Sequence, residues 1–201
     1  IEAGGQRGAR VAMARDDERL MAAFDVQDPS PMKNAGGDFA LLFKTGDCCD
    51  LLLATDPEAS PRRTKPARGD LRLLFSTMEG KPVCVLYQPV VEQAERAPRV
   101  FSSPVSAEPF DRVVKLEDAR IAIRRRDDGY ALEAAVPLDA LGFAPEDGMV
   151  TRGDVGVIFS DPGGHRNVLR AYYANRETAV VNDIPSEARL EPKKWGVIRV
   201  E

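Results

Sequence analysis

The segment Arg170-Ala171-Tyr172-Tyr173-Ala174-Asn175 carries the residue types best suited to holding a polyhydroxylated ligand. A tyrosine ring stacks on the apolar face of a pyranose, and neighbouring Asn and Arg side chains hydrogen-bond its hydroxyls. In an extended strand Tyr172 and Tyr173 point to opposite faces, so one belongs to the core and the other carries the binding chemistry. Catalytic chemistry has much less to work with. The single histidine, His165, sits in a DPGGH turn with no GxSxG to accompany it, so a Ser-His-Asp or Cys-His arrangement would have to run through a loop tip. A glycan-cleaving site of the sandwich type wants two carboxylates one residue apart on one strand face. None of the predicted strands has such a pair, and Glu133 stands alone, opposite the apolar face of its strand. The Gly4-Gly5 and Gly163-Gly164 pairs lack the GK[ST] continuation of a phosphate loop and read as turns.

Hard oxygen ligands for a structural calcium ion could come from Asp47, Asp50 and Asp161, which lie near predicted strand ends. Their spacing fits no EF-hand, and aspartates at such positions also cap turns. The three cysteines, Cys48, Cys49 and Cys84, form an odd set without CxxC spacing, so zinc and thioredoxin-like chemistry have no support. They read as small buried hydrophobes, with a Cys84 bridge to one of the vicinal pair, or a Cys48–Cys49 bridge, as the alternatives.

Positioning these groups falls to strands. Val11, Met13 and Arg15 alternate into an Asp16-Asp17-Glu18 turn, and Leu20, Ala22, Phe24 and Val26 alternate out of it. Leu71 to Thr77 and Val83 to Tyr87 flank Glu79-Gly80-Lys81. Ile121 and Ile123 lead through Asp127-Asp128-Gly129 into Tyr130, Leu132, Ala134 and Val136. That last strand stops at Pro137 and passes into one apolar helical turn, Leu138 to Leu141, closed by Gly142. Further strands are expected at 49–54, 155–159, 168–173 and 195–200, about ten in all, a normal number for two packed sheets. The stretches 28–38, 55–69 and 88–106 are rich in Pro, Gly and charge and read as long surface loops. Trp195, the only tryptophan, opens the last strand and reads as core packing beside Gly196. The expected fold is an all-β, antiparallel two-sheet β-sandwich, jelly-roll-like, spanning residues 1–201 as a single domain.

The chain has 201 residues, 43% of them hydrophobic and 30% charged, enough for one sandwich with a real core. A net charge of -4 argues against a nucleic-acid partner, since phosphate binding needs a net basic face. No apolar run approaches the length of a membrane span. A start on Ile1 suggests a processed or excised segment of a longer protein.

In order along the chain, RVAMARDDERLMAAFDVQD, KTGDCCDLLLATDP, GDLRLLF, GYALEAAVPLDALGF, GDVGVIFSD and NDIPSEARLEPKKWG resemble the carbohydrate-binding module family nine-like domains of the wider DOMON-like superfamily of sugar- and haem-binding sandwiches. The resemblance implies a non-catalytic module that recognises a carbohydrate, secreted or periplasmic, and part of a larger polypeptide. In that family paired tryptophans sandwich a sugar, which a chain with one Trp cannot reproduce. Where such domains show an aromatic followed by Trp-Ser-Asn, this chain has Tyr172-Tyr173-Ala174-Asn175, so Tyr173 and Asn175 carry over as ligand-binding residues, with Arg166 beside them. The haem-binding relatives use Met with His or Lys as axial ligands. Here Met13 and Met21 lie in predicted strands and are expected to fill core, which leaves haem electron transfer as an alternative, with a glycan-cleaving enzyme as another.

Overall fold

The structure is a computed structural model that describes residues 1–94 and 96–201. Period-two alternation builds the first sheet from β1 (Gly8–Arg15), β2 (Arg19–Gln27), β9 (Arg120–Arg126) and β10 (Gly129–Pro137), in the order β1-β2-β10-β9. In the β10–β2 register Tyr130 pairs with Val26, Leu132 with Phe24, Ala134 with Ala22 and Val136 with Leu20, so both apolar sets share one face. Glycine is required at 129, where φ is +151° and an added Cβ would lie 2.0 Å from the Val26 carbonyl oxygen. Pro137 ends the strand as expected. The single turn α2 (Leu138–Leu141) follows, closed by Gly142 in the left-handed region.

The second sheet has seven strands. Its path is β12 (Asn167–Tyr172), β11 (Val150–Ser160), β3 (Cys48–Ala54), β4 (Asp70–Met78), β5 (Lys81–Gln88) and β8 (Arg112–Lys115), and β13 (Gly196–Arg199) also pairs with β11. One face, with Leu51, Leu73, Phe75, Val157 and Phe159, packs against the first sheet to form the main core, where Phe24 and Phe75 sit 6.2 Å apart. All three cysteines are free and buried, as small core residues, and burial pushes their thiol pKa values up.

The other face of this sheet is covered too, which explains why β3 reads CCDLLLA with every residue buried. Leu52, Leu74, Tyr87, Ile158 and Tyr172 support a second core roofed by α1 (Leu42–Thr45), α3 (Ile184–Ala188), Trp195 and a two-stranded hairpin, β6 (Arg99–Ser102) with β7 (Ala107–Phe110). The hairpin corrects the expectation of a surface loop over 88–106: Phe101 and Phe110 are buried, their rings 5.5 Å apart, and edge-on contacts join Phe101 to Phe43 and Phe110 to Tyr87. The 28–38 segment also dips inward. Buried Asn34 donates to the Leu42 carbonyl at 2.9 Å and accepts from Thr45 Oγ1 at 2.7 Å, so its amide replaces the water that a surface loop would use. Met13 and Met21 leave the core. Met13 is 40% exposed at the sandwich rim, and Met21, out of phase with Leu20 and Ala22, lies on the outer face of the first sheet.

Candidate functional site

Strands β12 and β13 share one edge of β11, β12 pairing with residues 156–160 and β13 with residues 150–153. At the break between them the chain leaves β12, and Tyr173 N–H still donates to the Val155 carbonyl at 2.9 Å. Asp154 then replaces the ladder. Its carboxylate accepts from Val155 N–H at 2.9 Å and from Ala174 and Asn175 N–H at 2.8 Å each. Burial raises the pKa of Asp154, and those amide bonds oppose the rise. The turn Tyr173-Ala174-Asn175 is therefore fixed by a side chain of the neighbouring strand.

Inward from this turn lies a buried charge network. Arg72 on β4 makes a fork to Asp50 on β3, with Nε–Oδ1 at 2.9 Å and Nη2–Oδ2 at 2.7 Å. The hydroxyl of Tyr172 also donates to Asp50, and Arg170 donates to the Tyr172 oxygen at 3.2 Å and to the Glu187 carbonyl at 3.1 Å. Lys44 on α1 reaches Glu187 on α3 at 2.8 Å. The Arg72 guanidinium lies 5.0 Å from the Phe43 ring centre, adding a cation–π contact in a dry setting. Burial pushes the Tyr172 hydroxyl up to about 12, so it remains a donor at any ordinary pH.

Above this floor is a cavity of about 220 Å³ whose walls include Arg72, Asp154, Arg170, Tyr172, Asn175 and Trp195. Trp195 is 3% exposed, and the Arg63 guanidinium stands 6.0 Å from its ring centre, held in place by Asp70. The indole is thus an aromatic wall braced from one side. Donors, acceptors and an aromatic side chain converge here, each held in place by neighbours within the protein.

Of the residues singled out from the sequence, Tyr172 and Asn175 reach this cavity. Tyr173 does not line it: it is 64% exposed, on the opposite strand face from Tyr172. Arg166 lies at the other end of β12, in the turn where Asp161 accepts from the His165 and Arg166 amides at 2.8 and 3.2 Å. Asp47, Asp50 and Asp161 do not form a donor set. Asp47 accepts from the Lys33 and Ser160 amides at 2.9 and 2.7 Å, Asp50 is committed to Arg72, and Asp161 caps its turn. Among the described residues no three His, Cys, Asp or Glu side chains are placed to hold an ion together. Arg72, Asp154 and Trp195 were missed as site residues. Lone charges inside the apolar runs CCDLLLA and DLRLLF were the available signal, because a buried ion needs a partner.

No protein-family model matches the chain, and no curated protein matches it. Solved structures do. A family 9 carbohydrate-binding module from Caldicellulosiruptor kristjanssonii in complex with glucose superposes with a TM-score of 0.61 at 16% identity, covering 99% of this chain and 79% of that one. The same kind of module in complex with cellotriose gives a TM-score of 0.56 at 15% identity, covering 99% and 77%. At this identity the likeness establishes the fold, an all-β sandwich shared with these modules.

Proposed function

We propose that this chain is a non-catalytic carbohydrate-binding module, acting outside the cytoplasm, whose site is the cavity between Asn175, Tyr172 and Trp195. The observation that carries the reading is the meeting, at one cavity, of the turn held by Asp154, the Arg72–Asp50–Tyr172 floor and the only indole of the chain. Similarity of fold to modules solved with glucose and cellotriose supports it. A single aromatic wall replaces a tryptophan pair, so the sugar lies against Trp195 on one side and polar groups on the other. A cavity of about 220 Å³ suits one pyranose unit at the end of a chain or alone. Calcium has no part in this reading.

Trp195 makes the test direct, because all indole fluorescence comes from the cavity wall. Titration with glucose and cello-oligosaccharides should shift that emission, and calorimetry should return the same affinity. Asn175→Ala should weaken binding by about 1 kcal/mol through loss of a hydroxyl partner, whereas Tyr173→Ala should leave it unchanged. Saturable binding that Tyr173→Ala abolishes and Asn175→Ala spares would move the site to the outward tyrosine. No binding to any glycan on an array would refute the reading.

A further inference from the structure

The outer face of the four-stranded sheet has a composition that an exposed sheet does not need. In register across β9, β10, β2 and β1, the outward rows read Arg124-Ala131-Asp25-Arg10, then Ala122-Glu133-Ala23-Ala12, then Arg120-Ala135-Met21-Ala14. Alanine is depleted in strands because it packs little on a pleated surface, yet it takes six of these positions, and five of them (Ala12, Ala14, Ala23, Ala122 and Ala135) line a trough of about 500 Å³. Charge frames the trough. Arg10, Arg120 and Arg124 are exposed and make no ion pair among the described residues, whereas Arg126 is held by Asp25 and Asp128. Arg120 and Arg124 stand roughly 13 Å apart along β9, and Arg10 lies three strands away, roughly 14 Å from Arg124. With Arg19 in the next row, the outward groups are five arginines against the carboxylates of Asp25, Asp128 and Glu133, on a chain whose net charge is -4.

We infer that this face binds an extended acidic polysaccharide, with ring faces lying on the alanine floor, carboxylates on Arg10, Arg120 and Arg124, and hydroxyls donating to Glu133. A second copy of the chain is disfavoured, because two such faces would oppose like charges. A dense polyanion such as nucleic acid or polyphosphate would bring phosphate onto Glu133, which lines the trough and has no ion pair among the described residues. A polyuronate carries one sparse charge per ring and supplies the donors that this carboxylate accepts. This surface lies on the sheet opposite the cavity of Asn175 and Trp195, so the two sites are separable.

Affinity electrophoresis through gels containing polygalacturonate, dextran or duplex DNA tests the inference. The protein should be retarded by polygalacturonate at low salt, released at high salt, and pass dextran freely. The double variant Arg10→Glu/Arg124→Glu should bind polygalacturonate about tenfold more weakly, with an unchanged melting temperature and unchanged Trp195 fluorescence response to cello-oligosaccharides. Glu133→Gln removes a repulsive charge and replaces one of two acceptor oxygens by a donor, and should raise retardation by DNA more than retardation by polygalacturonate. Absence of retardation, retardation that survives the double charge reversal, or wild-type binding to DNA as strong as to polygalacturonate would each overturn it.

Discussion

The two sheets treat their outer faces in opposite ways. On the seven-stranded sheet the outer face is roofed, its charges are buried, and each ion is held by a named partner: Arg72 by Asp50, Glu187 by Lys44, Arg63 by Asp70. On the four-stranded sheet the outer face is open, its side chains are short, and Arg10, Arg120 and Arg124 point to water. A charge in the first setting is part of the architecture, because removing one partner strands the other in a low-dielectric interior. In the second setting the same residue type is screened by solvent and contributes little to the fold, which leaves it available for recognition.

The sharpest way to break this contrast is Arg72→Met. It should destabilise the protein by about 3 to 5 kcal/mol, since Asp50 loses its buried partner, whereas Arg124→Met should change stability by less than about 0.5 kcal/mol. Chemical denaturation of both variants measures the difference, and equal effects would erase the distinction between the faces. Asp47 offers a pH test on the buried side. Burial pushes its pKa up to about 6, above the unfolded value, so its contribution is fully present below about 4 and is lost as pH rises through 6. Stability should therefore fall by about 2 kcal/mol between pH 4 and 7, and Asp47→Asn should flatten that part of the profile whatever its absolute stability. A slope retained in the variant would assign the titration to another group. Next in size is Asp154→Asn, which keeps an acceptor for one amide of the 173–175 turn and sets an NH₂ group against the other. We expect a loss of about 1 to 3 kcal/mol in stability and weaker glucose binding than Asn175→Ala gives. Intact binding would mean that the turn holds itself. Smallest of all should be the response to chelator: an unchanged melting temperature follows from Asp47 and Asp50 having protein donors on their oxygens, and a drop would reveal an ion bound by the folded state.

The three hairpins and the Pro137 stop were legible because each rests on local rules, alternation on one face and a turn residue at its tip. Tyr172 and Tyr173 could be placed on opposite faces from spacing alone, but which of them turned inward depended on a tertiary fact, the position of Asp50 two strands away. The roof over the second sheet was hidden for the same reason. Phe101 lies in the 88–106 stretch, whose prolines and charges signal a loop, and only its packing, with that of Phe110 just beyond, against Phe43 and Tyr87 makes a hairpin there. Trp195 could be read as buried core, which it is, but not as part of a cavity lining, because Arg63 and Asn175 are brought to it only by the fold.

The break in the β11 edge separates two jobs along the chain. Residues 173–195 leave the sheet at Asp154 and rejoin it at Gly196, beside the point of departure, and between those anchors they supply Asn175, α3 and Trp195 to the cavity. Such a segment is tethered rather than laddered: between its anchors it is held by Glu187 to Lys44 and by Ala188, Leu190 and Trp195 in the second core, while the strand ladders on either side keep their own register. A replacement for that stretch must therefore carry over those buried groups, with Asp154 kept as the socket for its first turn, and is free to vary at exposed positions such as Tyr173 and Val181.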